Sequence, residues 1–342
     1  MKKRILSWSC AAVAVVILWQ LLTALLTPKY MSSIPEGALI AEYYEETTPN
    51  QVLFVGDCEV YENFSPITMW EEYGITSYIR GSAQQLIWQS YYLLEEMLQR
   101  ETPRAVVFNV LSVKYDTPQN EAYNRMTLDG MEWSSSKWNA IRASMTEKEG
   151  AITYLLPLLR YHSRWNELST EDFTYLFKRD RIGHSGYLMQ TGVRPVTSYP
   201  QQIPLEDYTI PQTCMDYLDK MRTLCEDYGV ELILIKAPSI YPIWYEEWDV
   251  QIADYAKQHG LAYYNLLALA KEIGIDWERD TYDAGLHLNV WGAEKLSAYF
   301  GKLLTERHGL TSQKDDAALS QVWAEKTAVY KAQKATAASP YQ

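Results

Sequence analysis

Residues 5–26 form an uncharged apolar run interrupted only by Ser7, Ser9, Gln20 and Thr23. As a helix this run of about 22 residues spans roughly 33 Å, enough to cross a bilayer core. Residues 27–50 mix Pro, Ser, Glu and Tyr without a period and read as a stalk. Beyond them, short apolar runs alternate with stretches of helical spacing. Gln51-Val52-Leu53-Phe54-Val55 ends in Gly56-Asp57-Cys58 and reads as a buried parallel strand followed by a turn. Further strands are predicted at 77–80, 105–110, 231–236 and 262–266, and helices at 83–99, 211–228, 248–258 and 292–307. This rhythm predicts a parallel sheet with helices on both faces, with chemistry at the carboxyl ends of the strands.

The rhythm lapses over residues 112–204, which read as a largely helical insertion in a domain running from 51 to 308. Residues 309–342 form a polar, Ala-rich tail with an amphipathic stretch at 319–329. The four cysteines give no disulfide framework. Cys10 lies in the apolar run, while Cys214 and Cys225 share the apolar face of one helix about 16 Å apart, far beyond the ~7 Å a bridge tolerates. Cys58 is the one cysteine that packing does not explain.

Lys2, Lys3 and Arg4 precede the apolar run, so residues 1–4 are expected in the cytoplasm, residues 5–26 in the membrane and the remainder outside the cell. A cleaved signal sequence is the alternative. The net charge of −12 repels phosphate backbones and argues against a nucleic-acid partner. The sequence holds no phosphate-binding glycine loop, dinucleotide fingerprint or His-Glu-x-x-His zinc pair, so neither cofactor nor metal is expected.

Two blocks carry chemistry: Gly56-Asp57-Cys58-Glu59 at the tip of the first strand, and Asp283-Ala284-Gly285-Leu286-His287-Leu288-Asn289 before the last core helix. A nucleophile on a tight turn after a buried strand projects into the strand-end crevice, where a distant His reaches it when the chain folds back. On these blocks the chain resembles the SGNH/GDSL hydrolase superfamily, in particular its membrane-anchored, extracytoplasmic branch associated with cell-surface polymer acylation. The resemblance implies a flavodoxin-like three-layer parallel sheet. It further implies Cys58 as nucleophile in the family's serine position, His287 as base, and Gly81 and Asn109 as oxyanion-hole donors beside the Cys58 backbone N–H.

The family's carboxylate stands three residues before its His. Here that position is Ala284, with Asp283 four residues before and Asp280 farther off. The orienting group is therefore Asp283, Asp280 or neither, with Asp283 the better candidate because it lies on the same short loop as His287. Asn289 reads as a helix cap, His162, Arg164 and His184 as structural anchors, and Lys236 as a solvated strand-end lysine. The implied activity is hydrolysis or O-acyl transfer on a cell-surface glycan or polymer, with a polytopic membrane O-acyltransferase as partner. A catalytically inactive binding or scaffold protein on the same fold is the alternative.

Overall fold

The computed structural model describes residues 2–27, 30–31, 34–35, 37–118, 120–178 and 180–341. Residue 1 of the expected cytoplasmic end and residues 28–29, 32–33 and 36 of the expected stalk lie outside them. Helix α1 (Lys2–Leu26) contains a 23-residue segment, Arg4–Leu26, long and apolar enough to cross a membrane.

Five strands form one all-parallel sheet: β1 (Val52–Gly56), β2 (Ser77–Gly81), β3 (Ala105–Asn109), β4 (Glu231–Lys236) and β5 (Ala262–Asn265), in the spatial order β2-β1-β3-β4-β5. Alternate side chains of each strand enter opposite layers, which is why β1 reads as a continuous apolar run. Val52 and Phe54 join one core with Leu296 and Phe300. Leu53 and Val55 join the other, with Leu94, Leu218 and Ile252. The helices supplying these faces are α2 (Cys58–Tyr61), α3 (Pro66–Tyr73) and α4 (Ile87–Arg100), then, after the insertion, α10 (Gln212–Asp227), α11 (Glu246–His259), α12 (Val290–His308) and α13 (Ala317–Lys334). The chain turns one way from β1 to β2 and the other way to β3, so the crevice opens at the carboxyl ends of β1 and β3.

Among the described residues the insertion holds five short α-helices, α5 (Glu121–Leu128), α6 (Ser135–Ser144), α7 (Ala151–Leu155), α8 (Leu158–Tyr161) and α9 (Thr170–Tyr175). Past α9 the chain runs to α10 with a single bridge, His184 to Tyr187, as its regular pairing among the described residues.

Two segments differ from the sequence reading. The expected stalk is partly built into the domain: after a short helix, Ala38–Ala41, Tyr43 packs edge-on to Tyr78 at 5.2 Å, and the buried Glu42 carboxylate accepts from the backbone N–H of Ile182 and Gly183. The tail is likewise core, because α13 buries Trp323 completely in a stack on Trp70 at 5.3 Å. Cys214 and Cys225 are buried and unpaired, and Asn289 caps α12 by accepting from the N–H of Trp291 and Gly292.

Candidate active site

Cys58 opens α2 directly after β1, where Asp57 caps the helix by accepting from the Glu59 N–H at 3.1 Å. Gly56 precedes it with φ 156, and a Cβ there would strike Val60 at 2.5 Å, so only glycine lets the helix fold back so tightly on the strand. Cys58 keeps part of its surface accessible. The turn is tied to the distant His loop through Asn63, whose Oδ1 accepts from the Leu288 N–H at 2.7 Å.

This tie brings His287 to Cys58. The ring Nδ1–H donates to Asp283 Oδ2 at 2.7 Å, while the His287 backbone N–H donates to Asp283 Oδ1 at 2.8 Å. Asp283 thus grips both the ring and the backbone of the same residue. Asp280, the other candidate, is turned away: it is buried and takes hydrogen bonds from Lys295, Tyr341 and the Asp276 N–H. A second carboxylate unforeseen from the sequence, Glu62 one helical turn after Cys58, lies 3.2 Å from the same Nδ1. Tyr282 stacks on the imidazole and donates its hydroxyl to Glu62.

The other ring nitrogen, Nε2, is buried and has no hydrogen-bond partner among the described residues. The Cys58 thiol acts on the His287 ring, by charge and by polar contact. Burial pushes the thiol up from its ordinary range and the adjacent imidazole pulls it back. By charge alone the imidazole would lower the thiol; desolvation outweighs it, and the thiol is raised on balance. For His287, burial disfavours the charge, yet Cys58, Asp283 and Glu62 together outweigh burial and hold the ring well above the usual 6.5. Burial likewise raises Glu62, against the pull of His287.

Gly81 stands beside the turn, in register with Gly56. A Cβ on it would lie 2.8 Å from the Gly56 carbonyl oxygen, so the end of β2 can approach the Cys58 turn only as glycine. Asn109 does not fit its expected role. Its amide hydrogens go to Asp57 Oδ1 at 3.1 Å and Glu59 Oε2 at 2.9 Å, and its Oδ1 accepts from the Ala237 N–H at 3.0 Å. With both donors engaged beneath the turn, the side chain holds the floor of the site and offers no hydrogen to an oxyanion.

Lys236 also departs from the sequence reading. It is fully buried and donates to both oxygens of the fully buried Glu59 carboxylate at 2.9 Å. Asp57, Glu59, Asn109 and Lys236 form one polar floor under Cys58, within which burial and the Glu59 charge raise Asp57.

Glu62, Asp283 and His287 offer three ligand atoms within 4.8 Å of one another, a spacing open to a divalent ion. The nitrogen involved is the Nδ1 already donating to Asp283, and Tyr282 already donates to Glu62.

Fold and site together define a parallel α/β protein with a thiol, an imidazole and two carboxylates at the strand ends. No protein-family model matches the chain, and a search of curated proteins finds no match.

Proposed function

We propose that the protein is an acyl-transfer enzyme of SGNH/GDSL type acting through Cys58. The supporting observation is the polarity of His287, whose Nδ1 is fixed by Asp283 while Nε2 is left for the thiol. Proton transfer from Cys58 Sγ to Nε2 gives a thiolate and an imidazolium, each stabilised by the other. The thiolate attacks an ester carbonyl, and the tetrahedral intermediate collapses as Nε2–H protonates the departing alcohol oxygen. This leaves an acyl-thioester on Cys58 and a neutral ring. His287 then takes a proton from water or an acceptor hydroxyl, which attacks the thioester and returns the thiol.

In this reading α1 anchors the domain outside the cell, following the charges at Lys2, Lys3 and Arg4. The acyl acceptor is a cell-surface glycan or polymer. A polytopic O-acyltransferase supplies the acyl group, since cytoplasmic acyl thioesters do not reach that compartment. The upward push on the buried thiol favours a second reading, a non-catalytic scaffold on the same fold.

Turnover of small O-acyl esters by the full chain in detergent decides between them. Cys58→Ala and His287→Ala should each fall to the uncatalysed rate with the fold retained, and the double variant should lose no more activity. Unaltered turnover in Cys58→Ala would overturn the assignment, and no turnover by the unmodified chain would leave the scaffold.

A further inference from the structure

The insertion displays apolar side chains that its own packing leaves uncovered. Trp133, Leu155, Leu159, Trp165, Phe173 and Phe177 are exposed, Trp165 by 72% and Phe177 by 90%. Isolated exposed apolar residues are ordinary. These six belong to the part of the molecule that holds the end of α1. Helices α8 and α9 and the turn His162–Asn166 pack against α1. Leu26 is buried among Leu158, Tyr161 and Leu168, and Arg164 Nη1 donates to the Leu26 carbonyl at 2.8 Å, closing the helix end.

The insertion also reaches back along α1. A groove of about 550 Å³ has Trp19, Gln20 and Thr23 of α1 on one wall and Trp133, Tyr154 and Leu155 of the insertion on the other. Trp19 lies roughly 10 Å before Leu26 along the helix axis. If α1 crosses the membrane, as the proposed function holds, its 23-residue apolar segment spans only a little more than the ~30 Å hydrocarbon core. Its last two turns therefore lie at the outer edge of the bilayer, and whatever flanks them lies at that depth. Trp, Phe and Leu side chains on short helices are the composition that settles at this boundary.

We propose that the exposed apolar face of the insertion is seated in the outer interface of the lipid bilayer beside α1. Lipid is the occupant because the face is continuous with the span. The domain is then held by two attachments, the span and this face, and its crevice keeps a fixed attitude to the membrane.

The test places a nitroxide side chain, one position at a time, at Phe177 and Leu159 in the full chain, using a genetically encoded amino acid. Val13 within α1 and the exposed Val250 on α11 serve as references. The protein sits in nanodiscs of phosphatidylcholine and phosphatidylglycerol, and collision with oxygen is compared with collision with a nickel chelate. The expected result is an oxygen-to-nickel ratio at Phe177 and Leu159 several-fold above that at Val250 and below that at Val13. A Val250-like ratio at both, with Val13 in the bilayer, refutes the inference and leaves the span intact. A water-like Val13 removes the span and the inference together. Shielding of Phe177 and Leu159 from both reagents would assign the face to a second copy of the chain and overturn the lipid assignment.

Discussion

Ala284 adopts φ 65 and Gly285 φ 94, two left-handed residues in succession between Asp283 and His287. A residue with a Cβ gives up about 1 kcal/mol in that conformation. The paired turn takes up the extra residue that separates Asp283 from the expected spacing, and it returns the carboxylate to the ring. The Cys58 and His287 blocks were legible in the sequence and Asp283 was the better of two candidate carboxylates, but spacing alone did not settle the choice, because it does not reveal a left-handed pair. Glu62 was silent for a different reason: just past the end of α2 it reads as an ordinary helix-terminal glutamate, and only the folding back of a loop more than two hundred residues later gives it a role.

The pH dependence follows from these contacts. The Cys58 and His287 pair must lose one proton to become reactive, and the surrounding acids hold the ring charged above 6.5. Turnover should therefore rise with pH along a limb centred above 6.5. The stability contributed by the raised His287 is full below the usual histidine range and is lost across the same window as pH rises through the folded value. Glu62→Gln removes one of the charges raising the ring and should move the limb down by about one pH unit, read from a pH profile of kcat/KM. An unmoved limb would remove Glu62 from the tuning of His287.

At the scale of elements, the apolar strands announced themselves and the polar floor between them did not. Lys236 closes a run of apolar residues, where a lysine is ordinarily solvated, yet β4 carries it under the turn that starts α2 to meet Glu59. Removing one member of a fully buried pair leaves the other uncompensated. Lys236→Met should cost about 3–5 kcal/mol in denaturant unfolding; a loss near zero would mean that the buried contact is not an ion pair.

The same reasoning separates the two aspartates of the loop. Asp283→Asn leaves the ring without its orienting charge and should reduce turnover by roughly 10²- to 10⁴-fold with modest loss of stability. Asp280→Asn weakens the contacts with Lys295 and Tyr341 that tie the loop to α12 and to the chain end. It should lower stability by about 1–3 kcal/mol while the kcat of the folded fraction stays near normal. The reverse pattern would transfer the orienting role to Asp280.

For the whole molecule, periodicity revealed the layered sheet, the insertion and the apolar helix. It did not reveal that the flanking segments close the domain. The stretch read as a stalk is polar because Glu42 works by accepting backbone hydrogen bonds, and the Ala-rich tail carries one decisive side chain, Trp323, among small ones. Trp323→Ala should destabilise by about 3–5 kcal/mol in thermal or denaturant melting, and a near-neutral effect would mean that α13 is an appendage. If Cys58 is the nucleophile, a covalent acyl group passes through its sulfur in every turnover. The direct measurement is to mix the full chain with an activated O-acyl ester, quench in acid within the first turnover and determine the mass of the peptide containing Cys58. The account predicts one acyl increment on Cys58, removable by neutral hydroxylamine and absent in His287→Ala. Ester turnover by the folded chain with Cys58 unmodified throughout, including in the slow Asp283→Asn variant, would contradict it.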